Sequence, residues 1–238
     1  MTFPELLVAF IAVFVGATIQ GSMGFGLGLV AAPVLVLIDP ALVPSVILGM
    51  GVPLTLLVAW RERQSVSLTR VNRAIVGRLF GTIAGSFIVY LADASTLSLI
   101  FAVALLMGVA LSAGGYSVAP TPKVMLIAGF GSGLMGTTTS VGGPPIALVL
   151  QHQAGPELRA SIGAFMAVGA ALSLAALVIV GEFRTHELVM TGVLVIPALL
   201  GFGASRWTNQ LLDRGYTRPA VLVFATLSGL SILLRQLL

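Results

Sequence analysis

The chain has 238 residues, of which 58% are hydrophobic and only 8% are charged, and its formal net charge is +4. This composition excludes a soluble globular protein, and the absence of cysteine excludes disulfides, thiol nucleophiles and thiolate metal sites. The basic residues lie at segment ends and in short loops, as membrane topology requires, so the positive charge does not indicate nucleic-acid binding.

The apolar residues fall into eight segments whose pattern is helical rather than alternating. Most of them are close to the roughly 20 residues that a helix needs to cross a bilayer. The first and fifth segments are longer, and a glycine-rich break interrupts each of them. We predict segments at about residues 5–38, 41–60, 74–91, 95–113, 124–154, 160–180, 187–205 and 219–236.

The first segment contains the break Gln20-Gly-Ser-Met-Gly24-Phe-Gly26. As one helix, residues 5–38 would be about 50 Å long, whereas the hydrocarbon core of a bilayer is about 30 Å thick. We therefore predict two half-helices hinged at residues 20–26, which form a re-entrant hairpin. Non-helical backbone at this depth is tolerated only where it is buried in protein or lines a wet cavity.

The second and third segments carry a basic motif, a glycine stripe and one arginine. Trp60-Arg-Glu-Arg63 is typical of an aromatic and basic anchor at the inner surface. Gly77, Gly81 and Gly85 recur every four residues, a spacing typical of close helix packing in membranes. Arg78 is a candidate charge on an anion pathway. We favour the alternative that it determines topology at the cytoplasmic face, because it lies near the start of its segment.

The fifth segment contains the second break, Gly136-Thr-Thr-Thr-Ser140-Val-Gly-Gly-Pro144-Pro145. It lies 120 residues after the first, and at this offset Gly16-Ala17-Thr18 falls on Gly136-Thr137-Thr138 and Gly81 falls on Gly201. One broken segment followed by three intact segments occurs twice. The pattern predicts an internal duplication, and a matched pair of interrupted segments indicates a transporter's binding site.

We therefore predict an all-α polytopic membrane protein of two inverted repeats, each with one re-entrant broken-helix hairpin and three transmembrane helices. The repeats are residues 1–113 and 124–238, and residues 114–123 form a cytoplasmic linker. Six full spans then remain, and both termini lie outside. The positive-inside rule favours this arrangement, because only Arg184 and Arg235 lie outside. The basic residues inside are Arg61, Arg63, Arg70, Arg73, Arg78, Lys123, Arg159, Arg206, Arg214 and Arg218.

Inversion would place the two hairpin tips together at the midplane, each with the N-terminus of a short helix. Helix N-termini and clustered backbone N–H groups bind anions, and neither break contains a carboxylate. Alternatively, the small residues only allow close packing, but packing does not require adjacent prolines that interrupt a span. The candidate substrate-binding residues are Gln20, Gly21, Ser22, Gly24, Phe25, Gly26, Thr137, Thr138, Thr139, Ser140, Gly142, Gly143 and Pro144.

Several chemistries find no support in the sequence. No Asp, Glu or Lys falls in the middle of a segment, so a proton would travel on the substrate, or flux would follow the electrical gradient. No nucleophile–base pair and no phosphate-binding loop is visible, and His152 and His186 are not within ligand spacing. We expect neither an enzyme nor a cofactor or metal site.

The two breaks and Trp60-Arg-Glu-Arg63 resemble those of the TauE/SafE sulfite exporter family, and the resemblance covers the whole chain. It implies export of sulfite or related small sulfur-containing or organic anions across the bacterial inner membrane. It also implies, by motif, functional roles for Gln20, Gly21, Gly24, Phe25, Thr138, Ser140, Gly142, Gly143 and Pro144.

The residues leave three functions open. The first is a secondary transporter that works by alternating access, with one repeat rocking against the other about Pro53 and Pro197. The second is an anion channel of the same architecture, which single-channel currents would distinguish. The third is a membrane scaffold in which the glycines are structural. The expected partners are a small anion and the lipid bilayer, and long faces of small residues permit a homodimer.

Overall fold

The computed structural model describes residues 1–61, 68–114, 118–151, 155–212 and 217–237, and all regular structure in these ranges is helical. Glu62 and Arg63 of the basic anchor, residues 115–117 of the linker, and His152 lie outside them. A 3₁₀ turn at Pro40–Leu42 precedes the third helix. The helices are α1 (Phe3–Met23), α2 (Leu27–Ile38), α3 (Ser45–Arg61), α4 (Leu68–Leu91), α5 (Ala94–Ala113), α6 (Pro122–Thr139), α7 (Gly143–Leu150), α8 (Gly155–Ile179), α9 (Thr185–Leu212) and α10 (Thr217–Leu237).

Six helices of the described chain are long and apolar enough to cross a membrane. The prediction of an all-helical, multi-pass membrane protein is therefore confirmed. The set differs from the expected one, because α1 belongs to it, whereas the apolar stretch of α10, Val221–Gln236, is shorter. The six candidate spans are Phe3–Met23, Pro40–Arg61, Val71–Leu91, Ala94–Ala113, Ala160–Ile179 and Thr185–Trp207.

Both predicted breaks are present, and backbone conformation explains where they fall. Gly24 and Gly26 separate α1 from α2 with φ angles of 86° and 150°, which a residue with a Cβ rarely adopts. Ser140, with φ 62°, ends α6, and α7 begins at Gly143. One detail differs. α1 has 21 residues and is about 31 Å long, so the first break joins a full-length helix to a short one rather than two half-helices.

Two helix pairs bring backbones into close contact. Along α4 and α6, Gly77 lies against Leu126, Gly81 against Phe130 and Gly85 against Thr137, so the two helices run parallel. The predicted packing role of this glycine stripe is confirmed. In the second pair, α9 lies on α1, where a Cβ at Gly201 would overlap the carbonyl oxygen of Phe14. The fourth helix of each half therefore packs on the first helix of the other half.

The buried apolar residues form two large cores that do not follow the two halves of the chain. The larger core draws mainly on α1, α2, α3, α5, α9 and α10. The smaller core consists of residues from α4, α6, α7 and α8. Each core therefore combines helices from both halves, and the two glycine-rich breaks lie where the cores meet.

Candidate functional site

The two breaks contact each other directly. Gly28, in the first turn of α2, lies against the carbonyl of Ser140, and an added Cβ there would overlap that oxygen. In the reverse direction, the Phe25 ring lies on Gly143, where a Cβ would be only 2.8 Å from Cδ2 of the ring. Each break therefore touches the first turn of the opposite short helix. The starts of α2 and α7 meet as the sequence analysis expected.

A central cavity of about 60 Å³ lies at this junction. It has room for a few water molecules or one small ion. Besides the breaks, α3 lines it with Gly51 and Thr55, and α8 lines it with Met166 and Ala170. Of the predicted site residues, the cavity lining includes Gln20, Phe25, Gly26, Arg78, Ser140, Gly142, Gly143 and Pro144.

The remaining predicted residues lie outside the lining. Their hydroxyl groups bond back to their own helices, because the nearest acceptor for a buried hydroxyl is a carbonyl one turn earlier. Thr138 Oγ1 donates to Leu134 O at 2.8 Å, Thr139 Oγ1 to Met135 O at 2.6 Å, and Ser22 Oγ to Thr18 O at 3.0 Å. Thr137 pairs instead with Ser173 on α8. Outside the lining are Gly21, Ser22, Gly24, Thr137, Thr138 and Thr139.

Arg78 is not a surface arginine, and the favoured interpretation of it is wrong. Its side chain is only 2% exposed and lines the central cavity. The reason is that α4 begins at Leu68 rather than near residue 74, so Arg78 lies about 15 Å from the helix start and about 10 Å past Val71, where the apolar span begins, which is roughly a third of the thickness of a bilayer core. An ionisable residue at that depth is expected to have a function.

The contacts of Arg78 tie its guanidinium to the second break. Nη1 donates to Ser132 Oγ at 2.8 Å, and Ser132 in turn donates to the carbonyl oxygen of Gly142. The guanidinium lies over the Phe165 ring, with 4.9 Å between Cζ and the ring centroid. Gly169 makes room for it, since a Cβ there would overlap Nε.

The charge of Arg78 has no counter-ion in the part of the chain that the structure describes. Its contacts there are a hydroxyl, a thioether and an aromatic ring, and its buried Nε has no hydrogen-bond partner. Arginine keeps its charge in proteins, and burying a charge without a partner is costly. The cavity is therefore a positive, donor-rich site, which favours an anion.

Gln20 and Ser140 each bond to backbone groups near the cavity. Gln20 is 6% exposed, and its Oε1 accepts from the N–H of Leu27 at 3.1 Å, which caps the start of α2. The other end of the same amide carries two N–H donors on a side chain that lines the cavity. Ser140 Oγ donates to Pro44 O at 3.0 Å, which joins the second break to the turn before α3.

Sequence reasoning missed two residues that position this region. Ser132, the partner of Arg78, is fully buried in α6. A signal for it existed, because a hydroxyl between Gly129 and Gly133 lies on the face that packs against α4. Arg61, predicted as part of a surface anchor, donates to the carbonyl of Gly21 and to Ser205, and lies over Phe202. It links the end of α3 to α1 and α9.

Two larger chambers lie on opposite sides of the central cavity. The Glu182 chamber, of about 290 Å³, is lined by residues that include Val36, Pro44, Leu97, Thr138 and Glu182. The Gln151 chamber, of about 140 Å³, is lined by residues that include Leu111, Gln151, Leu158 and Val221. Leu97 and Leu111 are about 21 Å apart along α5, so the chambers lie toward opposite ends of the bundle.

Comparison with known proteins gives one clear relationship. The family model described as "Sulfite exporter TauE/SafE" matches residues 8–232, which is nearly the whole chain. Neither the curated proteins nor the solved structures give a match. The multi-pass helical fold agrees with the family match. The chain therefore belongs to the TauE/SafE sulfite exporter family.

Proposed function

We propose that this protein is a secondary transporter that exports sulfite or a related small sulfur-containing or organic anion across the bacterial inner membrane. Membership of a family of exporters, which are not enzymes, supports the class of activity. The single observation that carries the anion site is Arg78, a buried cation in the cavity between the breaks with no carboxylate partner in the described chain.

In this proposal the bound anion is the counter-ion of Arg78. The guanidinium supplies the attraction, and the backbone N–H groups of Gly28 and Gly143, which line the cavity at the starts of α2 and α7, supply directed donors. Gln20 adds amide donors from the opposite side of the cavity. The size of the cavity, about 60 Å³, limits the bound species to a few non-hydrogen atoms.

We further propose that the two halves are inverted repeats with re-entrant hairpins. α9 begins beside the Glu182 chamber, and α1 runs parallel to α9, so α1 starts at that end and α2 returns to it. By the same argument, α6 starts at the Gln151 end beside α4, and α7 returns there. Each hairpin thus begins and ends on one side, and the two enter from opposite sides.

Alternating access would then move the two cores rather than the two sequence halves. The α1–α2 hairpin belongs to the larger core and the α6–α7 hairpin to the smaller one. Rocking of these cores about their junction would expose the central cavity first to the Gln151 chamber and then to the Glu182 chamber. The prolines inside α3 and α9, Pro53 and Pro197, both lie in helices that contribute to the larger core.

The test is sulfite flux into liposomes that contain the purified protein, compared with the Arg78→Gln variant. We expect the variant to lose at least tenfold in rate, because a neutral side chain leaves the anion without a counter-charge. The matched control is Arg73→Gln, which removes an exposed charge from the same helix. Wild-type flux in Arg78→Gln would contradict the assigned site, and absence of flux in the wild type would contradict transport of sulfite.

A further inference from the structure

Four residues lie between the central cavity and the Gln151 chamber, and Phe25 is the one aromatic residue among them. Both cavities are lined by Phe25, Gly26, Leu29 and Pro144. Leu29 and Pro144 lie in the first turns of α2 and α7, so their helices hold them in place. Phe25 lies in neither helix, because Gly24 and Gly26 break the backbone on both sides of it.

The Phe25 ring also bridges the two halves of the interior. It is partly buried and packs against both the larger and the smaller hydrophobic core. Its ring lies on the bare Cα of Gly143, where a Cβ would approach three ring-side carbons to between 2.8 and 3.0 Å. Because residue 143 has no side chain, the Phe25 ring can lie between the two cavities.

The Gln151 chamber, through which the anion is proposed to enter, offers an apolar surface to a hydrocarbon chain. Its lining is mostly hydrophobic and includes Ile19, Met23, Leu111, Leu148, Ile162 and Leu222. Its volume of about 140 Å³ is more than twice that of the central cavity. An organic anion whose charged group lay beside Arg78 could extend its hydrocarbon chain toward this apolar surface through the place that the Phe25 ring now fills.

From this geometry we propose that Phe25 is the specificity-determining residue that limits the length of the transported anion. The proposal rests on the anion site described above. While the ring is in place, the central cavity accepts an oxyanion with little or no carbon chain. Without the ring, the two cavities join, and an alkanesulfonate can hold its sulfonate at Arg78 and its chain in the apolar chamber.

The test measures flux of sulfite and of methane-, ethane-, propane- and butanesulfonate into liposomes, for the wild type and for Phe25→Ala. The quantity compared is the ratio of each alkanesulfonate rate to the sulfite rate. We expect this ratio to fall with chain length in the wild type. In Phe25→Ala, we expect the butanesulfonate ratio to rise at least tenfold, since burial of each methylene contributes about a factor of four.

Two further variants keep the test decisive. Phe25→Leu retains an apolar side chain across the gap and should keep most of the wild-type length limit. Met23→Ala enlarges the Gln151 chamber without opening it to the central cavity, and its ratios should match the wild type. A sulfite-dependent rise in melting temperature verifies that Phe25→Ala is folded and still binds the anion.

The outcomes separate the two proposals. If the wild type carries sulfite but Phe25→Ala keeps the same length limit, the proposed role of Phe25 is wrong, whereas the proposed anion site is not contradicted. If folded Phe25→Ala loses every substrate equally, Phe25 is needed for binding itself, and the length-limit proposal is overturned. If the wild type carries no sulfite, the proposed function fails first.

Discussion

At the scale of single residues, the site depends on how each polar group in the interior is satisfied. The hydroxyls of Thr138 and Thr139 already bond to carbonyls of α6, so they are not free donors for a ligand. Gln20 differs, because its Oε1 accepts from the first turn of α2, whereas its NH₂ group supplies the donors that the proposed site uses. A substitution that keeps the oxygen acceptor but removes the NH₂ donors separates the capping of α2 from the proposed binding of the anion.

Gln20→Glu is that substitution. The carboxylate can still accept from the N–H of Leu27, but it places a negative charge in the cavity where the anion is proposed to bind. We expect at least a tenfold loss of sulfite flux with a melting temperature close to that of the wild type. Gln236→Glu in α10, which lies away from the central cavity, is the control for the charge change. Equal flux in both variants would show that Gln20 does not face the anion.

The same scale shows what could be predicted for the site. The breaks were predictable because glycine and proline within an apolar run are local signals. The depth of Arg78 was not, since residues 68–73 of α4 are largely polar and give no apolar periodicity to mark the helix start. Ser132 and Arg61 act through contacts with helices far away in the sequence, and a single sequence does not reveal such pairings.

At the scale of helices, the glycines of α9 give a matched test of the interface with α1. An added Cβ at Gly201 would overlap the Phe14 carbonyl, whereas Gly203, two residues later, has nothing within 4 Å. We expect Gly201→Ala to lower the melting temperature by about 5 °C, because forced separation of packed helices typically costs about 1–3 kcal/mol. Gly203→Ala should leave it unchanged or raise it slightly. Equal melting temperatures in detergent would contradict the close packing of α1 on α9.

The helices themselves were largely predictable, but their partners were not. Segment positions follow from hydrophobic runs, and the boundaries that moved most were the start of α4 and the end of α9. Both of these helices continue into polar sequence, where a hydrophobic pattern ends before the helix does. The packing of α4 on α6 and of α9 on α1 depends on the surface shape along Gly77, Gly81 and Gly201. The sequence shows that these glycines are present but not which helix each of them contacts.

At the scale of the whole molecule, the cysteine-free chain makes the proposed orientation testable. The Gln151 end is predicted to face the cytoplasm, and the Glu182 end is predicted to face outside. We expect a cysteine introduced at His186 to react in intact cells with a maleimide that does not cross membranes. A cysteine at Ala119 should react only after the cells are permeabilised. The reverse pattern would invert the topology, and labelling of both in intact cells would contradict it.

The packing of α1 on α9 also has a consequence for synthesis, because the two helices are far apart in the sequence. α1 is made first, yet its main partner, α9, follows more than 160 residues later. At ordinary translation speeds of about 5–20 residues per second, this gap lasts roughly 8–32 s. During this interval the face of α1 that carries Gly21 lacks Phe202 and Ser205 of α9, which lie against it in the folded protein. A chain truncated before α9 would therefore leave that face of α1 without its partner helix.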